Sequence, residues 1–234
     1  MITKKQLLSM GKTKRLWSTD VEGQAIAEFV DDAVMYHGKH KLYFDGKGKL
    51  CNAINAILMT ELAQNNVPTH FVSLYDEVSS VVYKAEMIPI EVVVYNYTSQ
   101  SMAKRLGLVK GQKLKFPVLE FCYKNDELDD PVINEYHALA MGLCTQEEMA
   151  AMCYQATRIN KVLGDLLAKA DMTLADFKVE FGRVNGRLLV ADEITPNTAR
   201  LWDRQTLGHI CNCGERDAKH EYEQILSRLQ AVIK

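Results

Sequence analysis

Asn185-Gly186 stands between two strand-like runs, Phe177-Lys178-Val179-Glu180-Phe181 and Leu188-Leu189-Val190-Ala191. Tight hairpin turns need positive φ at their centre, which Asn and Gly adopt at least cost, so this pair is the strongest short hairpin signal in the chain. Strand side chains alternate faces, which puts Asp176, Lys178 and Glu180 on one surface of the first arm. The register of the return arm decides whether Asp192 joins them. A two-residue turn pairs Lys178 with Glu193 and sends Asp192 to the far face. A three-residue loop over 184–186, with Gly186 left-handed, pairs Lys178 with Asp192 instead. Asn-Gly permits both. In the second register two carboxylates flank a lysine, which suits Mg²⁺ bridging nucleotide phosphates. A salt-bridged, solvent-facing surface is the plainer reading of the same residues.

Elsewhere, Ile88-Pro89-Ile90-Glu91-Val92-Val93-Val94-Tyr95 is a near-continuous apolar block of the kind found in central strands. Shorter strands are expected over 13–17 and 24–29, about a turn at Gly23, and over 69–74, 78–85 and 116–123. Leu50, Ile54, Ile57, Leu58 and Leu62 recur at helical spacing, which predicts a helix over 47–64 with Pro68 just beyond. A short helix over 101–106 ends at Gly107. Thr145 and Glu148 form a capping-box pattern at the head of a long helix. Its stripe of Met149, Met152, Ala156, Ile159, Val162, Leu163, Leu166 and Leu167 reads as core packing. A last helix is expected over 215–233. Strands and helices do not alternate strictly, so the expected class is α+β with largely antiparallel sheets.

The 234 residues suffice for one large domain or two intimately packed lobes. A net charge of -2 provides no bulk attraction for nucleic acid or an anionic membrane, so any bound anion must be held by local geometry. No apolar run approaches the roughly 20 residues that span a bilayer. Met1-Ile2-Thr3-Lys4-Lys5 lacks the apolar core of a signal peptide, and a cytoplasmic location is expected. There, Cys51, Cys122, Cys144, Cys153, Cys211 and Cys213 read as reduced, mostly buried thiols. His209, Cys211, Cys213 and His220 offer only one half-site at an unusual spacing, which favours a surface loop over zinc. Gly11-Lys12-Thr13 matches the end of a P-loop, but Gln6 stands where the first glycine is required and a strand follows. A glycine turn bringing Lys12 and Lys14 near phosphates remains, beside an ordinary surface turn. Arg200 is either an anion clamp or a guanidinium packed on Trp202.

Taken together, these segments resemble the phosphoribosylaminoimidazole-succinocarboxamide (SAICAR) synthetase family. The likeness runs in the family's order from Met10 to about Asp203. It includes Gly11-Lys12-Thr13-Lys14, Asp31-Asp32, Gly46-Lys47-Gly48 and Pro68-Thr69-His70-Phe71. Met87-Ile88-Pro89-Ile90-Glu91, Lys104-Arg105-Leu106-Gly107 and Lys124-Asn125-Asp126 follow. Asp176-Phe177-Lys178-Val179-Glu180-Phe181-Gly182, Asp192-Glu193 and Arg200-Leu201-Trp202-Asp203 complete it.

The resemblance implies a SAICAR synthetase-like, ATP-grasp-like fold of two packed lobes with a cleft between them. Residues 1–86 would form a nucleotide-binding lobe and 87–234 a lobe with metal and substrate residues. It implies an ATP- and Mg²⁺-dependent ligase of purine biosynthesis, joining L-aspartate to the carboxylate of carboxyaminoimidazole ribonucleotide through an acyl phosphate. Gly11, Lys12, Thr13 and Lys14 would then cover the ATP phosphates. Met87 would sit in the adenine hinge, with Lys84 among the nucleotide-binding residues and Lys124 near the nucleotide. Glu180 and Asp192 would hold Mg²⁺, Lys178 would stand beside the reacting groups, and Ser101, Asp176 and Arg200 would contact substrate. This chemistry favours the three-residue hairpin register, and a homodimer is the expected assembly.

The likeness thins at one subsite. An arginine of the family is Tyr95 here, a glycine is Gln100, and Ser-Pro-Asp is Thr195-Pro196-Asn197. A basic segment gives way to the stretch 209–220. The alternative is therefore a paralogous ATP-dependent ligase or kinase acting on another carboxylic acid. A catalytically silent nucleotide-binding protein is a third reading, against which the retention of Lys178, Glu180 and Asp192 speaks.

Overall fold

The computed structural model describes residues 2–35, 40–210 and 218–233. The chain opens with β1 (Lys4–Met10), β2 (Lys14–Thr19), β3 (Gln24–Phe29), β4 (Asp32–Met35) and β5 (His40–Tyr43), followed by helix α1 (Lys47–Gln64). Then come β6 (Phe71–Leu74), β7 (Ser79–Tyr83), β8 (Glu86–Tyr97), α2 (Gln100–Leu106), β9 (Lys113–Tyr123), β10 (Val132–Ile133) and α3 (Glu135–Ala140). The chain continues through α4 (Gln146–Lys169), β11 (Met172–Val184), β12 (Arg187–Ala191), β13 (Ala199–Asp203) and α5 (Ala218–Gln230).

Two antiparallel sheets carry most of the strands. One has the order β1-β2-β3-β7-β6; the other runs β10-β9-β8-β11-β12, with β13 also on β11. The α+β class and its antiparallel sheets are as expected. Period-two burial fixes which face of the second sheet is which. On β8, Ile88, Ile90, Val92 and Val94 are all 0% exposed, while Glu91, Val93 and Tyr95 alternate onto the opposite face. β11 repeats the pattern, with Phe177, Val179 and Phe181 in the same core. Burying each of these side chains is worth about 1.5–3 kcal/mol. Helices α1, α4 and α5 cover that face, and their apolar stripes join one core cluster with β8 and β11.

Local sequence sets the helix ends. Thr145 Oγ1 accepts from the Glu148 N–H and Glu148 returns a carboxylate to the Thr145 N–H, the expected capping box. Helix α1 begins after Gly46 with no capping side chain of its own. Asp31 supplies one from a distance, accepting from the Gly48 N–H at 2.8 Å and the Gly46 N–H at 3.2 Å. A Cβ on Gly48 would lie 2.6 Å from the Phe29 carbonyl oxygen, so the helix can approach β3 this closely only with glycine there.

The structure departs from or adds to these expectations at four places. β1 was not anticipated: its residues are mostly exposed and show no alternation, because it is an edge strand. Residues 196–198 form a turn, and Ala199–Asp203 directly after it form β13, a strand with no separate sequence signal. The last helix is described over Ala218–Gln230 and ends three residues short of Ile233, while Glu215 lies outside the described residues. Finally, Val184 pairs with Arg187 and Glu180 with Ala191, so the hairpin has the two-residue turn and not the three-residue loop. Asn185 and Gly186 take φ of 51° and 73°, the twist that best matches paired strands.

Candidate active site

The site forms where a partner strand of β11 is interrupted. β12 pairs with β11 over 180–184 and β13 pairs with it over 172–177. Between these two, segment 192–198 crosses the strand edge opposite Lys178, whose N–H donates to the Thr198 carbonyl at 2.8 Å. Thr195 and Thr198 hold this crossing with their own hydroxyls, Thr198 Oγ1 accepting from the Thr195 N–H at 3.1 Å. Functional side chains thus rise from a regular sheet through a tied, irregular crossing.

The crossing begins at Asp192, whose φ is 59°. Had β12 continued straight, the observed register would have sent this side chain to the far face. The left-handed residue ends the alternation and brings the carboxylate 2.8 Å from Lys14 Nζ, which is also 3.1 Å from Glu193. Burial alone would lower the proton affinity of Lys14. Asp192 and Glu193 outweigh it and raise that affinity, so this lysine stays charged. In return Lys14 holds Asp192 ionised against burial, down to about 2.

Glu180 lies on the other side of this balance. It is 4% exposed and ion-paired with Lys124. Burial and the neighbouring Asp192 carboxylate nevertheless push it up to about 7. Of two adjacent carboxylates, Asp192 keeps its charge and Glu180 leans toward its proton. Lys178 Nζ meets Glu91, directly across the sheet from Glu180, at 2.5 Å. Burial opposes charge on Lys178, but Glu91 and then Glu180 restore it. Lys14, Lys124, Lys178, Glu180 and Asp192 are therefore one electrostatic group.

The remaining expected residues surround it. The Gly11 N–H donates to the Lys14 carbonyl at 2.8 Å, closing a tight turn. Thr13 Oγ1 donates to Glu193 at 2.7 Å, and Lys12 reaches Asp126 at 2.8 Å on the surface. Lys84 lies exposed on the link between the two sheets, on the rim of a 390 Å³ depression it shares with Gln24, Tyr83 and Arg183, and Met87 is exposed at the start of β8. Gly182 passes beneath this link, where a Cβ would come 2.7 Å from the Ala85 Cβ and 3.3 Å from Met87 Sδ. Asp176, 2% exposed, pairs with Arg200 of β13 on the polar face. Tyr95 sits opposite Asp176 on β8. Ser101 is exposed in the first turn of α2, its hydroxyl 3.0 Å from Ser99 Oγ.

Three contributors escaped the sequence reading: Glu91, Glu193 and His70. Glu91 had a signal, being the one charge inside an apolar strand. His70 Nε2 lies 2.9 Å from the Asp192 carbonyl, and burial lowers its proton affinity to about 4, so its ring is neutral. Cys211 and Cys213 of the improbable zinc set lie outside the described residues.

The donor set fits Mg²⁺. The ion prefers one or two carboxylates plus phosphate oxygens over an all-protein cage, and Glu180 with Asp192 is such a pair. Burial first, and then the Asp192 carboxylate, work against the charge of Glu180, a cost that a cation between the two would offset.

Two antiparallel sheets with three lysines and two carboxylates gathered at a tied strand crossing have the build of a phosphate-handling enzyme. A model of the SAICAR synthetase family matches residues 7–225. A phosphoribosylaminoimidazole-succinocarboxamide synthase of a Thermoanaerobacter species is 46% identical over 230 residues, covering 97% of this chain and 98% of that protein. The enzyme of that name from Ehrlichia chaffeensis superposes with a TM-score of 0.92 at 33% identity, covering 98% and 100%. A SAICAR synthetase solved in complex with ADP gives 0.90 at 37%, covering 95% and 97%. The chain belongs to the SAICAR synthetase family. The reading as a paralogue for another carboxylic acid is not favoured by these likenesses.

Proposed function

We propose that this chain is an ATP- and Mg²⁺-dependent ligase that condenses L-aspartate with the carboxylate of carboxyaminoimidazole ribonucleotide to give SAICAR, ADP and phosphate. The observation that carries this reading is the convergence of Lys14, Lys124 and Lys178 on the Glu180–Asp192 pair. A carboxylate is a poor electrophile because its oxygen is a poor leaving group. One of its oxygens therefore attacks the γ-phosphorus of ATP, releasing ADP and leaving an acyl phosphate. The aspartate amine then attacks the acyl carbon, phosphate departs with the bridging oxygen, and the nitrogen loses a proton.

Lys12 and Lys14, on the Gly11 turn, bind the nucleotide phosphates from above. Lys178 stands at the transferring phosphoryl group, where a fixed ammonium stabilises the charge spread over its oxygens. Lys124 and Lys14 are the charges that Glu180 and Asp192 carry before metal arrives. Glu180 and Asp192 would hold Mg²⁺, which when bound supplies positive charge to the phosphate oxygens. Lys84 and Met87 border the base, and Ser101, Asp176 and Arg200 face the second substrate. Residues 1–86 act as the nucleotide half and 87–234 as the metal and substrate half. A cytoplasmic homodimer completes the reading; exposed Val109 and Phe116, both 72% exposed, support an assembly that sedimentation can measure.

The test is ADP release in a coupled assay. Turnover that requires both the carboxyimidazole nucleotide and aspartate is expected. ADP release without either substrate, or none with both, would refute the assignment.

A further inference from the structure

Asp192 is held in a left-handed conformation that residues with a Cβ rarely adopt, φ 59°. Its aim depends on that conformation, since the ladder register of β12 would otherwise send the carboxylate away from Glu180. Something must hold the backbone there. The Asp192 carbonyl has a side-chain partner, His70 Nε2 at 2.9 Å. A carbonyl can only accept, so Nε2 carries the hydrogen and the tautomer is settled. His70 is 8% exposed.

The ring is mounted on the strand it braces. Thr69 bridges Val190, the His70 N–H donates to the Val190 carbonyl at 2.8 Å, and the Val190 N–H donates to the Pro68 carbonyl at 2.9 Å. On the other side, the Tyr83 N–H donates to the His70 carbonyl at 2.8 Å. The backbone of His70 is thus fixed to both sheets, two residues from the point where β12 turns. A side chain so placed can transmit a definite position to Asp192.

We propose that His70 is a positioning residue: its Nε2–H holds the Asp192 carbonyl, keeps that residue left-handed, and so aims the carboxylate at Lys14 and the Glu180 side of the sheet. Its consequence for catalysis rests on the reading of Asp192 as a ligand for nucleotide-bound Mg²⁺. The conformational statement does not.

Two uncharged amides separate position from bulk. In His70→Gln the amide nitrogen reaches close to the place of Nε2; in His70→Asn it stops near that of Nδ1. Crystal structures give the Asp192 backbone angle, and calorimetry gives ADP affinity with and without Mg²⁺. His70→Asn is expected to move Asp192 out of the left-handed region. It should also weaken Mg²⁺-dependent ADP binding about tenfold or more, as loss of a group supporting a metal ligand does. Its KM for aspartate should stay at the parent value while kcat falls. His70→Gln should restore the angle and most of the metal dependence, which also guards against mere misfolding. An unchanged Asp192 angle in His70→Asn, or equal impairment of both variants, would overturn the proposal. Asp192→Asn tells the two readings apart. If its Mg²⁺ dependence equals the parent's, the metal role of Asp192 fails, and the angle in His70→Asn alone decides the role of His70.

Discussion

The two faces of β11 are built from alternate residues of one strand and obey opposite rules. On one face Phe177, Val179 and Phe181 are 0–1% exposed among the helices, and each adds to stability. On the other, Asp176 and Glu180 are 2% and 4% exposed, as buried as the rings, yet burial works against their charges. Depth alone does not distinguish a core from a site. The sign of what burial does to the side chain distinguishes them, and the strand supports the unfavourable face with the favourable one.

If this contrast is right, substitutions on the polar face should change chemistry and those on the apolar face should change stability. The largest effect is expected for Lys178→Met, with kcat lower by about 10³-fold, the scale of losing one transition-state donor. Its thermal transition should stay single and cooperative, and near-parent turnover would remove Lys178 from the mechanism. Phe177→Ala should cost about 3–4 kcal/mol in urea unfolding while the folded fraction keeps its KM values. A specific loss of kcat there would break the comparison.

Glu180→Gln tests both rules at once. The folded protein binds this proton more tightly than the unfolded chain, near 7 against 4.5. That contribution to stability is therefore complete below about 4.5 and is lost as pH rises through about 7. Above that, the ionised carboxylate costs roughly 3–3.5 kcal/mol in the metal-free protein, at about 1.4 kcal/mol per decade of proton affinity. The glutamine variant should be more stable than the parent by that amount at about pH 8, equal to it in acid, and inactive. Equal stability at both pH values would mean that Glu180 is not strained. The smallest effect belongs to Thr145→Ala, which removes the cap of the helix over the apolar face: about 1 kcal/mol of stability, with kinetics unchanged.

Much of this was legible beforehand. Helix α1 lies at 47–64 as its apolar spacing predicts, and α4 carries its capping box because both signals are local. The apolar block at 88–95 lies within a central strand for the same reason. What escaped was non-local or exceptional. Asn185-Gly186 marked the turn but could not choose its length. The register inferred from the chemistry was wrong, although Asp192 does stand beside Glu180. One backbone angle achieves what the register was invoked to do, and alternation rules say nothing once a residue leaves the extended region. β1 was missed because an exposed edge needs no apolar period. Glu193 and His70 act through partners more than a hundred residues away in the chain, a distance no sequence window spans.

The interruption between β12 and β13 has a consequence for how such a chain can change. Segment 192–198 is spliced between two strands that share one neighbour, so its length is counted from both ends, like a span between fixed piers. An inserted or deleted residue there would slip one ladder or the other and turn its inward side chains outward. Variation at this place is confined to exchanging side chains on a constant backbone, whereas growth or shrinkage of the chain must occur at connections with a free end to absorb it.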